Sequence, residues 1–345
     1  MVSKEQQKCI ILLCAFVMIS AYTPLPLNLD AYLVLLRNTS TIVTLFLVGF
    51  VCPKSFYKYY PMAQSILILI VYLNFYYFGI YRLCILAGTI LHGVQKALAW
   101  MALPILFSFI DEKDSLVSIA TIYSALGVSL GLSGTMRLLQ VTPGLALLQT
   151  CISAVVALAF SYSLMLKIDV VDDFSFYGFQ ESQPQEPKTK RESVLRTFSN
   201  PTLLKWMSLD QIATILWWFS FMIGKEYLDF EYRSIVAFSC AIGPLAVILL
   251  RVFVKNHIQT VFLSGVAVIV LFGVLNYAFR EVVPFLHFSL CVIAAILYGI
   301  LCLSASRIGV NTANGEFAQV YCLLGIIDTV VSTIRPFVSP LGSLQ

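Results

Sequence analysis

The chain has 345 residues, 59% of them hydrophobic and 12% charged, with a formal net charge of +4. A soluble domain carries about 25% charged residues, and a soluble core of this length cannot hide so much apolar surface, whereas lipid can. The small positive balance sits in short loops between apolar runs, which speaks against nucleic acid as a partner and for a bilayer.

A helix needs about 20 apolar residues to cross the hydrocarbon. Spans are predicted near 9–27, 33–52, 63–82, 85–109, 115–138, 145–167, 203–223, 234–253, 258–279, 285–305 and 317–339. Residues 9–27 have the look of a secretory leader, but no small-residue cleavage site follows and further spans do, so they are read as the first membrane helix. The second span is the weakest. Its apolar part, Thr41 to Cys52, is too short alone and must extend back through Arg37 and Asn38.

Between the sixth and seventh spans lies the one long polar stretch, Asp169 to Asn200, whose middle (181–192) is rich in Gln, Pro and charge. Such a composition cannot bury enough surface to order itself. It divides the chain into an N-terminal six-helix bundle (1–168), a cytoplasmic linker (169–200) and a C-terminal bundle of five helices (201–345). The expected fold class is an all-α polytopic membrane protein of two helical bundles with about 11 spans. Lys188, Lys190, Arg191 and Arg196 place the linker inside. With these linker residues counted, Lys and Arg favour the same side more than twofold, giving a cytoplasmic N-terminus and an outside C-terminus.

Ionisable side chains at bilayer depth are costly and usually face a cavity or a partner. The candidates are Arg37, Lys96, Asp210, Asp328 and Arg335. Asp328 and Arg335, seven residues apart, share a helix face. Arg37 and Arg335 also read as snorkelling side chains near the outer surface, and Asp210 as a structural partner of Lys96 or Arg335. His92, one turn before Lys96, reads first as a hydrogen-bonded core residue and second as a proton relay. Asn38-Thr39-Ser40 fits the glycosylation pattern, but at the end of a span it is too close to the membrane for easy modification. Nine scattered cysteines form no CxxC pair and read as small core residues. With no Walker A pattern, no metal-ligand cluster and no hydrolytic triad, ATP-driven pumping and enzymatic chemistry are unsupported, and no cofactor or metal is expected.

Several patches resemble the reduced folate carrier and thiamine transporter family. They are SFYKYYP (55–61), SIATIYSALGVSLGLSG (118–134), FSFYGF (174–179), NPTLLKWMSLDQIATILWWFSF (200–221) and LYGILCLSASRIGVNTANGEFAQVYCLLGIIDTVVSTI (297–334). The resemblance implies a major-facilitator fold working by alternating access, and uptake of a water-soluble vitamin at the plasma membrane without ATP. It also implies substrate-binding positions. Arg335 falls where folate carriers hold a Lys, Tyr298 where they hold an Arg, and Ala99 where the family places Arg or Glu, with Lys96 one turn away. Pro26 falls where thiamine carriers hold a cation-binding Glu. Two basic positions and no acidic residue in the first helix lean towards a folate-type anion, and Asp210 and Asp328 weaken that lean. The competing expectations are a major-facilitator carrier of another organic solute, or a truncated paralogue without transport, since a twelfth span is missing.

Epitope tags inserted at Glu186 and after Gln345 are predicted to differ on intact cells: the first needs permeabilisation for labelling, the second does not. Labelling of both without permeabilisation would overturn the topology.

Overall fold

The structure, a computed structural model, describes residues 4–21, 29–52, 54–108, 131, 142–167, 199–227 and 317–338. All regular structure among them is helical: α1 (Lys4–Ala21), α2 (Ala31–Phe46), α3 (Tyr60–Phe78), α4 (Arg82–Ser108), α5 (Pro143–Lys167), α6 (Pro201–Tyr227) and α7 (Phe317–Val338). Four segments, Ala31–Val51, Tyr60–Phe78, Arg82–Ala102 and Gly144–Ser163, are long and apolar enough to cross a membrane. The helices α6 and α7 fall on the predicted seventh and eleventh spans. The predicted spans 115–138, 234–253, 258–279 and 285–305 and the linker core 181–192 lie outside the described residues.

Local chemistry sets the helix starts. Asp30 caps α2, its carboxylate accepting the Leu33 N–H at 2.8 Å. Asn200 caps α6, accepting from the N–H groups of Thr202 and Leu203 at 3.1 and 3.3 Å. Pro201 follows in α6, and Pro143 opens α5; proline suits a first turn because its missing N–H would have had no helical partner there. The second span does run back through Arg37 and Asn38, as its length required. It reaches its far end through a π-helical turn at Leu47–Val51. The first helix ends its described course at Ala21, short of the predicted residue 27.

Large apolar side chains lie open on the outside, among them Ile80 at 85% and Leu83 at 80% exposure. Water would penalise this arrangement and acyl chains would not. Tyrosines mark both ends of α3. Tyr59 stacks under the Lys58 ammonium, 5.1 Å from its ring centre, and Tyr76 and Tyr77 meet edge to face at 5.0 Å. Eighteen residue steps separate Tyr59 from Tyr77, about 27 Å of helix. That matches the hydrocarbon thickness, with tyrosine where aromatic belts form.

One packed layer joins early and late helices of the chain. Leu45 and Val48, Ala97, Leu98 and Met101, Leu203 and Met207, and Val320, Tyr321, Cys322 and Leu324 belong to a single buried cluster that includes α2, α4, α6 and α7. Glycine allows the close approaches. A Cβ on Gly325 would lie 2.7 Å from Trp100 Nε1 and 3.1 Å from Leu45 Cδ1, and one on Gly93 would strike the Arg37 carbonyl and Ser40. Small residues at such crossings are the usual means by which membrane helices gain contact without a hydrophobic drive. Backbones this close leave Trp100 Nε1 able to donate to the Tyr321 carbonyl at 3.0 Å. Cys322 Sγ donates to the Leu45 carbonyl at 3.2 Å.

Gly325→Val should lower stability by about 1–3 kcal/mol, the range for overpacking. Gly144→Ala, whose Cβ would meet only the Tyr76 hydroxyl at 3.8 Å, should be neutral or slightly stabilising. Thermal unfolding of both purified variants in detergent checks the pair.

Candidate functional site

The helix α7 runs antiparallel to both α2 and α4. Leu45 lies at Cys322 and Asn38 at Thr333, while Trp100 lies at Tyr321 and Gly325. Moving one turn along α4 from Trp100 therefore brings Lys96 to the level of Asp328, one turn beyond Gly325. Arg37 and Asp328 are both within electrostatic reach of Lys96. His92, a further turn along the same face of α4, is reached by the charges of Arg37 and Lys96. Three helices from two halves of the chain thus place Arg37, His92, Lys96 and Asp328 together.

Hydrogen bonds fix the cluster's edge. Arg37 donates from Nε and Nη2 to Asn38 Oδ1, both at 3.1 Å. Asn38 in turn donates from Nδ2 to Thr333 Oγ1 at 2.9 Å. The guanidinium is half-buried and tied back to its own helix, not extended towards the outer surface. Among the described residues these bonds occupy two of its five donors. Thr41 donates to the Gly93 carbonyl at 3.1 Å and Ser40 to the Ile90 carbonyl at 2.9 Å, locking α2 on α4. Asn38 is 1% exposed, so in this fold its amide is one of the α2–α7 links and is out of reach of a glycosylating enzyme.

The other predicted residues fall elsewhere. Asp210 is buried beside Tyr321 on α7, whose phenol feels its charge. Seven residues, about 10 Å of helix, separate Tyr321 from Asp328, so Asp210 lies at a different depth of the seam. The carboxylate that reaches Lys96 is that of Asp328. Arg335 belongs to α7, but its side chain lies outside the described residues, as does Tyr298 altogether. Ala99 is buried on α4.

A second polar group escaped the sequence reading. Gln95 Nε2 donates to Gln64 Oε1 at 3.1 Å, and Gln64 Nε2 donates to Ser20 Oγ at 3.2 Å and to Ser65 Oγ at 3.0 Å. All four side chains are fully buried and join α1, α3 and α4. Two glutamines inside apolar runs were the available signal, since an unsatisfied amide costs several kcal/mol in hydrocarbon. Among the described residues no group of His, Cys, Asp and Glu could hold a metal ion. No protein-family model matches the chain, and a search of the curated proteins finds no match.

Lys96 and Asp328 should be energetically coupled. Lys96→Ala leaves a carboxylate in the seam and should destabilise by about 3–5 kcal/mol, while Lys96→Ala with Asp328→Ala should recover part of that loss. The same cycle with Asp210→Ala should be close to additive. Melting temperatures of the two cycles in detergent decide between Asp328 and Asp210 as the partner.

Proposed function

We propose that this chain is a transmembrane carrier of a water-soluble organic anion, a folate-type vitamin, working by alternating access at the plasma membrane. The observation that carries the reading is the cluster at the seam. At the junction of α2 and α4 with α7, the cation Arg37 and the carboxylate Asp328 both lie within electrostatic reach of the cation Lys96. In a site of low dielectric, attraction for a substrate carboxylate is much stronger than in water. Arg37 offers a planar fork for a carboxylate and Lys96 a point charge on a flexible stem.

The directions of the helices support two halves around a central site. An α7 antiparallel to α2 and α4 is what an odd-numbered span beside the second and fourth would be. Binding between halves, near the middle of the membrane, is where carriers of this architecture hold substrate. The sequence resemblance supports a vitamin as the substrate class, and the basic excess favours folate over cationic thiamine. Movement needs no ATP, only rocking of one half against the other, with the N-terminus and the linker on the cytoplasmic side.

Uptake of radiolabelled folate, methylfolate and thiamine into carrier-deficient cells tests the reading. Folate and methylfolate should accumulate above the empty-vector level, and thiamine should not. Lys96→Glu should abolish the uptake, and Lys96→Arg should keep part of it. Robust thiamine uptake by the unmodified protein, or no anion uptake at normal surface expression, would overturn the proposal.

A further inference from the structure

His92 is 6% exposed, and its Nδ1 has no hydrogen-bond partner among the described residues. A buried imidazole nitrogen normally finds a partner, because leaving it bare costs the full desolvation of the group. The ring is buried as the sequence reading expected, and among the described residues its Nδ1 is without a partner. The ring sits one helical turn from Lys96, on the same face of α4.

Among the described residues the charged groups near the ring can be named. On α2 it faces Arg37, and on its own helix Lys96. From α7, Asp328 reaches the cluster through Lys96. The helix α3, packed on α4, contains no charged residue; the polar groups it brings to α4 are Gln64 and Asn74, the latter donating to the Cys84 carbonyl at 2.7 Å. The charged residues of α1, Lys4, Glu5 and Lys8, lie at the end opposite to Ser20, which is the part of α1 that joins the α3–α4 network.

We propose that His92 Nδ1 is a proton-binding site of the carrier, occupied together with the substrate anion, so that this protein is an anion–proton symporter. The inference rests on the carrier reading and adds its coupling ion. In the empty site a third positive charge beside Arg37 and Lys96 is repelled. A substrate carboxylate between those two cations adds a negative charge within reach of the ring and removes the repulsion. Anion and proton therefore bind each with the other's help, and the coupling is reciprocal. The proton enters from the side to which the halves are open, adds to the Nδ1 lone pair of the neutral ring, and leaves on the other side once the anion has gone. No bond other than N–H is made or broken, and one positive charge travels with the anion.

The experiment uses the full chain in proteoliposomes with pyranine trapped inside as a pH reporter, and radiolabelled folate and methylfolate as probes. An inward proton gradient should raise folate uptake by about fivefold or more, and folate addition without a gradient should acidify the lumen. His92→Gln, which keeps size and polarity but takes no proton, should lose both the gradient stimulation and the pyranine signal, whatever uptake it keeps. Wild-type uptake that ignores the gradient and leaves pyranine unchanged would overturn the symport while leaving the carrier intact. So would stimulation that survives in His92→Gln. Absence of any folate or methylfolate uptake under every gradient would remove the carrier reading and the coupled site with it. Should His92→Gln not assemble, the wild-type pyranine trace still decides.

Discussion

Charge buried between helices is the constraint on which the rest of this structure depends. An ammonium or guanidinium at bilayer depth is tolerated only beside water, a partner or a cavity. Lys96 and Arg37 meet that condition by sitting where α2, α4 and α7 converge, with Asp328 in reach. The convergence needs backbones that approach closely. Gly93 lets α2 lie on α4, and Gly325 lets α4 and α2 lie on α7. The hydroxyls of Ser40 and Thr41 then cross to carbonyls of α4, which tightens the α2–α4 contact without adding charge. Packing, polar satisfaction and the charge cluster are one arrangement, and loosening the glycine contacts would move the charges apart.

Much of this was legible in the sequence because lipid imposes a simple rule. Apolar runs of span length gave α2, α3, α4, α5, α6 and α7 within a few residues of their observed limits. Even the extension of the second span through Arg37 and Asn38 followed from length alone. A Lys in the middle of a span is expected to face inward, and Lys96 is packed between helices. Partnership was not legible. Asp210 and Asp328 are equivalent by composition, and only the antiparallel register of α7 against α4 decides which one lies level with Lys96. That register is set by Trp100 seating on Gly325 and Tyr321, a contact across more than 200 residues of chain that no local pattern announces.

The polar groups that sequence reasoning missed or misplaced share one property: their short-range meaning is misleading. Asn38 reads as a glycosylation acceptor from its two following residues, yet it is buried and its amide bridges Arg37 to Thr333. Gln64 and Gln95 lie inside apolar spans, and with Ser20 and Ser65 they form a buried network tying α1, α3 and α4 into one body. Such a network makes the N-terminal helices move together, because parting any of them would leave amides bare in hydrocarbon.

The seam between α7 and that body has a different character at its two ends. Around Trp100, Leu45 and Leu324 the contact is apolar and close, with two backbone carbonyls taken by Trp100 and Cys322. Around Asn38 and Thr333 the link is one side-chain hydrogen bond between groups that water can also satisfy. On the carrier reading proposed above, one end must release while the other holds. The polar end is the cheaper to release, since a hydrogen bond exchanged for water changes the net free energy by only about 0.5–1.5 kcal/mol. The apolar end would expose close-packed surface and two bonded carbonyls. The charge cluster lies between the two. Opening at Asn38 would therefore bring water, substrate and protons to Arg37, Lys96 and His92 first, with the Trp100 layer closing the path beyond them.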